Sequence, residues 1–154
     1  MTQENVTLST EASFRILPRL TDTNRHFWQG GERGELVFLR CQACGYYVHP
    51  PQPVCPIDFG KELRPEPVSG RGTVATFTVN HQRWIPGMAV PYVVALVSID
   101  EQPELRLQTN IVGCEPDDVR IGMPVEVVFE HREDARGDVW IPLFQPSGGS
   151  DVGE

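Results

Sequence analysis

A mainly β fold is predicted by three features of the sequence. Fourteen Pro and 14 Gly in 154 residues imply many turns and short strands. From Ser69 onward, β-type runs follow one another with turn residues between them. Upstream of these runs lies a pair of tight cysteine-bearing knuckles with metal-ligand spacing. The expected organisation is an arm and short helix over 1–34, a ribbon unit over 35–67, a barrel over 68–146 and a disordered tail over 147–154. With 40% hydrophobic residues the chain suits one core with a small appendage and has no room for two full domains.

The N-terminal arm is polar apart from Phe14, Ile16 and Leu17, and is expected to be loose or to dock on a surface. Thr21, Asp22 and Thr23 offer capping side chains ahead of Asn24-Arg25-His26-Phe27-Trp28-Gln29, and Gly30-Gly31 supplies a stop. That combination predicts a helix of two or three turns. Phe27 and Trp28 either pack on the chain's own ribbon or face a partner, since aromatic rings dominate such contacts.

Glu35 to Arg40 reads as a strand that delivers Cys41 to the first knuckle. Cys41 and Cys44 form a C-x-x-C pair closed by Gly45, which lets the backbone turn tightly enough for two thiolates to meet one ion. Tyr46 to Val48 continues the hairpin until Pro50-Pro51 breaks it. After ten intervening residues comes Cys55-Pro56-Ile57-Asp58, so the fourth ligand position carries a carboxylate. Three thiolates and one carboxylate can close a tetrahedron around Zn²⁺. His49, in the intervening loop, is a second candidate for the fourth place. The alternatives are a decayed site with three ordinary buried thiols, and iron, which in sites of this type takes four thiolates. Cys114 reads as a buried residue near a turn, outside the site. Phe59 to Pro67 is charged and proline-bearing, and reads as a connector.

The following runs are Thr73 to Asn80, Tyr92 to Ile99, Leu105 to Val112, Pro124 to Glu130 and Val139 to Phe144, with one helical turn at Pro116 to Val119. Five strands with a helical turn before the fourth is the plan of a five-stranded OB-fold barrel, whereas a sandwich would want seven strands. The strand-knuckle-strand-knuckle segment before it is the layout of a rubredoxin-like zinc ribbon.

Ribbons and OB barrels both occur in nucleic-acid-binding proteins, which need cations to displace counterions from phosphates. Here 13 Lys and Arg stand against 21 Asp and Glu, for a net charge of −8, and Lys61 is the sole lysine. No basic run forms, which argues against that class. The N-terminus lacks a basic start with an apolar centre and no run of about 18 apolar residues occurs, so a cytoplasmic protein is expected, without a membrane role. The four histidines, His26, His49, His81 and His131, are dispersed, and no nucleophile-elbow, Walker or dinucleotide glycine motif is present. Independent catalysis is therefore not expected. The loop His81 to Pro91 carries Trp84, Ile85, Met88 and Val90 between two barrel strands. It either folds over its own barrel or covers a ligand or partner.

Phe27-Trp28, GELVFLRCQACGYYVHPPQPVCP, SGRGTVATFTV, PYVVALVSID and IVGCEPDDVRIGMPVEVVFE together resemble the zinc-ribbon plus OB-fold proteins associated with acyl-CoA enzymes. That family was first catalogued as a domain of unknown function, and the resemblance covers about Thr21 to Phe144. It implies a non-catalytic subunit that stabilises a thiolase-like enzyme, either a thiolase or a retro-aldolase of steroid side-chain degradation, and helps form its acyl-CoA channel. Zinc and acyl-CoA are the ligands it implies. Phe27, Trp28, Trp84, Ile85 and Met88 would then form the partner or acyl-channel surface, with Arg71 or Arg83 near CoA phosphates. The departure is Asp58, where the family usually has its fourth cysteine. A nucleic-acid-binding ribbon and OB protein is the competing reading.

Overall fold

The computed structural model describes residues 14–148. Expectations for 1–13 and 149–154 lie outside that range. Arg15 ties the arm to the barrel: its Nε donates to Glu130 Oε2 at 2.6 Å and its Nη1 to Asn110 Oδ1 at 3.3 Å. Helix α1 spans only Arg25–Gln29, shorter than expected, and runs on into a 3-10 turn, Gly30–Arg33. No side chain caps it. Asn24 holds the cap position and its Oδ1 accepts the Thr21 N–H at 2.7 Å, so the polar cluster builds a turn before the helix. The α-helix ends at Gly30, and Gly34, at φ 72°, ends the 3-10 turn that continues it. Gly31 is glycine for another reason, since a Cβ there would collide with Trp140 and would lie 2.6 Å from the Phe129 ring. The absence of a side chain brings the helical segment against the barrel.

Strands β1 (Leu36–Cys41), β2 (Tyr47–Val48) and β3 (Leu63–Val68) form an antiparallel sheet in the order β2-β1-β3. The segment read as a connector thus contains a strand paired with the whole of β1, from Leu36↔Val68 to Cys41↔Leu63. Pro65 and Pro67 hide it in the sequence, but β3 is an edge, where a residue without an N–H breaks no ladder bond on the outer side.

Strands β4 (Arg71–Asn80), β5 (Tyr92–Ile99), β6 (Gln102–Ile111), β7 (Pro124–Arg132) and β8 (Val139–Pro146) close into a barrel in the order β4-β5-β6-β8-β7. A 3-10 turn, Pro116–Asp118, precedes β7. This is the OB-fold. A bulge at Ala75, between Val74 and Thr76, bends β4 so that it pairs with β5 along its length and with β7 at its start. The parallel contact Ile111↔Phe144 joins β6 to β8. Along β5 the side chains of Val93, Ala95, Val97 and Ile99 are buried and those between them half-buried, so the apolar run packs one face inward. The buried Thr109 hydroxyl donates to Pro142 O at 2.9 Å.

The side chain of Gln102 clamps the ribbon to the barrel. Gln102 Oε1 accepts the Tyr47 N–H and Gln102 Nε2 donates to Tyr47 O, both at 2.9 Å. An amide side chain thereby offers β2 the donor and acceptor of a neighbouring strand. Phe27 and Phe38 pack into the same apolar core as the barrel residues. Among the described residues no helix is long and apolar enough to cross a membrane.

Candidate metal centre and apolar face

The two knuckles repeat one hydrogen-bond pattern. In the first, Gly45 N–H donates to Cys41 O and Cys41 N–H to Tyr46 O, both at 2.9 Å. In the second, Phe59 N–H donates to Cys55 O and Cys55 N–H to Gly60 O, again at 2.9 Å. Asp58 therefore occupies the place of Cys44, and Phe59 the place of Gly45. The backbone confirms the equivalence: Gly45 has φ 80°, and Phe59, at φ 60°, is the sole non-glycine residue with positive φ among the described residues. Its ring is 75% exposed.

One ligand atom from each of Cys41, Cys44, Cys55 and Asp58 lies within 4.8 Å of the others. Two edges of this group can be tested against a metal. With Zn–S of about 2.3 Å and Zn–O of about 2.0 Å, a tetrahedron has an S···S edge of about 3.8 Å and an S···O edge of about 3.5 Å. Cys44 Sγ lies 3.7 Å from Cys55 Sγ, and Cys41 Sγ lies 3.5 Å from Asp58 Oδ1. The donor set fits a zinc-sized ion. Asp58 is fixed by the Gly60 N–H, which donates to Oδ1 at 2.8 Å, and the same bond holds its carboxyl below the usual range. The Cys44 N–H likewise favours the Cys41 thiolate. For Cys44 the Tyr46 N–H works in the same direction, but desolvation, the two other thiols and the Asp58 charge outweigh it and raise the thiol to about 11. Four crowded acidic donors resist ionising together, and a divalent cation among them would remove that resistance.

His49 is not part of this group. Its ring lies 4.7 Å from the Phe27 ring and 5.1 Å from that of Phe38, so its imidazole belongs to the joint between ribbon, helix and barrel. Among the described residues its buried Nδ1 has no hydrogen-bond partner, nor has Nε2 of His26. Burial, and then the neighbouring His26, push His49 down to about 4. Cys114 is free, half-buried against the barrel core and outside the cluster of Cys41, Cys44, Cys55 and Asp58.

Phe27 is 4% exposed and edge-on to Trp28, with ring centroids 4.8 Å apart. It is a core residue that also lines a cleft with Trp28 and His49. Trp28 is the more open of the two. It stands between two clefts, one of about 340 Å³ shared with Phe14, Ile16, Ile85 and Met88, the other of about 350 Å³ shared with Pro50, Pro51 and Leu107. Ile141 lines both. In the loop over 81–91, Arg83 Nε donates to Met88 O at 3.1 Å, and Trp84 projects, 68% exposed, with its Nε1 donating to Asn80 Oδ1. Arg71 opens β4 and Arg83 follows its other end, in the loop over 81–91. The sequence reading missed the contribution of Phe14, Ile16 and Ile141 to this face. For Ile141, alternation along β8 was the available signal.

A rubredoxin-like ribbon joined to an OB barrel defines the class. Residues 28–64 match the family described as ChsH2, rubredoxin-like zinc ribbon domain, and residues 65–130 match ChsH2, C-terminal OB-fold domain. A DUF35 domain-containing scaffold protein of Methanocaldococcus jannaschii is 39% identical over 64% of this chain and 70% of its own length. The chain belongs to the DUF35 family. It is also 36% identical to a probable enoyl-CoA hydratase alpha subunit of Thermomonospora curvata, over 88% of this chain. A 3-oxo-4,17-pregnadiene-20-carboxyl-CoA hydratase alpha subunit of Mycobacterium tuberculosis is 37% identical over 75% of this chain. The chain spans only 41% and 36% of the lengths of those two subunits. Among solved structures, a chain of the Ltp2-ChsH2(DUF35) aldolase superposes with a TM-score of 0.73 at 34% identity, covering 85% of this chain and 99% of that one. A DUF35 protein of unknown function from Sulfolobus solfataricus, at 17% identity and a TM-score of 0.58 over 82% and 86% of the two chains, shares the fold.

Proposed function

We propose that this chain is a non-catalytic accessory subunit of a thiolase-fold acyl-CoA enzyme, a thiolase or a retro-aldolase of the kind that shortens steroid side chains. The observation that carries the reading is the apolar face on the arm, α1 and the loop over 81–91. Phe14 is 47% and Ile16 84% exposed at a groove that Trp28, Ile85 and Met88 also line, and Trp84, 68% exposed, projects from the loop that carries Ile85 and Met88. Large apolar side chains gathered in this way mark a surface that a partner covers. The structural likeness to a chain of an aldolase complex and the scaffold relatives support the same role. The covered groove would form one wall of the partner's acyl channel, with Arg83 bracing the loop. Cys41, Cys44, Cys55 and Asp58 would hold zinc, whose contribution is to close the ribbon.

The test is co-expression with a thiolase-like protein encoded beside it, followed by size exclusion and metal analysis. A stable hetero-oligomer that contains zinc and dissociates when Trp84 and Met88 are both replaced by Ser is the expected outcome. A partner that is soluble and fully active alone, with this chain eluting separately, would overturn the reading.

A further inference from the structure

Outside the apolar face, three of the chain's 13 Lys and Arg converge on a single cleft. It lies between the helical segment and the ribbon sheet, has a volume of about 560 Å³, and is bordered by Arg25, Arg33 and Lys61. Register puts Leu39 and Pro65 on one face of the sheet with Leu63, and these three form its apolar floor. The amides of Gln29 and Gln52 supply neutral hydrogen-bonding groups, and Asp22 is the sole acidic residue of the lining. In a chain of net charge −8, three positive charges against one negative make a local reversal of sign.

Existing ion pairs do not use up this charge. Arg25 meets Asp22 at 3.7 Å, where the Asp22 side chain is fully in solvent, and Arg33 meets Glu35 at 3.3 Å, also largely exposed. Such pairs contribute little and exchange readily for a better acceptor. The Lys61 ammonium has no carboxylate at ion-pair distance among the described residues. We propose that the cleft binds a phosphorylated small molecule of the nucleoside-diphosphate class, its phosphates between Arg25, Arg33 and Lys61 and its base on the Leu39 and Leu63 floor. Two planar guanidinium forks and one mobile ammonium suit phosphate oxygens, and the volume falls in the range of about 300–1,000 Å³ usual for small-molecule sites. A nucleic-acid strand is disfavoured, because the rest of so acidic a molecule would repel it. No residue lines both this cleft and the apolar groove, so the inference stands apart from partner docking.

Isothermal titration of the full chain with ADP, inorganic pyrophosphate and adenosine tests it. ADP and pyrophosphate should bind, more weakly as salt is raised, and adenosine should not. Replacing Lys61 and Arg33 by Gln should weaken ADP binding about tenfold or more, as expected for losing charge-assisted hydrogen bonds. Lys61→Arg should retain binding, and melting temperature and metal content should stay unchanged in all variants. Absence of binding by both ADP and pyrophosphate would overturn the proposal. So would equal binding of ADP and adenosine, or an unaltered ADP affinity in the double variant.

Discussion

Replacing His49 by Phe should make the protein more resistant to acid. The imidazole sits 4.7 Å from Phe27 and 5.1 Å from Phe38 with its Nδ1 buried and unpaired, so a phenyl ring suits the site and removes an unsatisfied group. In the folded state His49 is held down at about 4, against an ordinary 6.5. The unfolded chain therefore binds the proton more tightly, and stability falls as pH drops from 6.5 towards 4. Above 6.5 both states are neutral and the residue has no pH effect. At pH 5 the difference amounts to about 2 kcal/mol, rising to a ceiling of about 3 kcal/mol below pH 4. For a chain of this size, 2 kcal/mol corresponds to about 4–8 °C in melting temperature. Thermal melts of both proteins at pH 7.5 and pH 5, at equal ionic strength, read it directly. Carboxylates and thiols titrate alike in the two proteins and cancel in the comparison. Wild type should lose about 4–8 °C more than the variant between the two pH values; equal losses would refute the argument.

Asp58→Ala should lower zinc affinity by a factor of roughly 10–100 or more and Asp58→Cys should raise it, measured by competition with a chromophoric chelator. Affinity unmoved by Asp58→Ala would remove the carboxylate from the ligand set. Gln102→Leu strands the N–H and C=O of the buried Tyr47, at about 1–3 kcal/mol for each group. Faster amide exchange at Tyr47 should accompany the lower melting temperature, and unchanged exchange would show that the ribbon does not depend on this clamp. Gly31→Ala forces a methyl group against Phe129 and Trp140 and should destabilise by about 1–3 kcal/mol, read by thermal melting. A neutral result would mean that the helical segment can slide over the barrel.

The barrel was legible because each of its five strands is a β-type run, alternating or continuously apolar, with its own flanking turns. Tyr92–Ile99 coincides with its run, and the others differ from theirs by a few residues at the ends. β3 was not legible, because LRPEPV has neither alternation nor strand composition. Its strand character comes from β1, whose whole length it pairs. The helix was overread for a related reason. Thr21, Asp22 and Thr23 are good capping types, but the hydrogen bonds of Thr21 and Thr23 close a turn, and Gly31 answers to Phe129 and Trp140, 98 or more positions away. Spacing alone pointed to Cys41, Cys44, Cys55 and Asp58 as one cluster, since such groups are local in the chain. Spacing could not separate His49 from them, because its fate depends on Phe27 and Phe38. The basic cleft was hidden for the same reason: Arg25, Arg33 and Lys61 are scattered in sequence and meet only through the packing of the helical segment on the ribbon.

The repeated pattern of the knuckles sets a stability optimum at position 59 that the chain does not occupy. An L-residue in the left-handed region carries about 1–2 kcal/mol of conformational strain that glycine avoids. Phe59→Gly should thus stabilise the folded chain, after allowance for the greater freedom of glycine in the unfolded state. A screen that selects for heat resistance alone would discard this ring early. A screen that also requires capture by the proposed partner enzyme would report whether an exposed phenyl group beside the Cys41, Cys44, Cys55 and Asp58 cluster is a defect or a contact, and the two selections diverge most sharply at this residue.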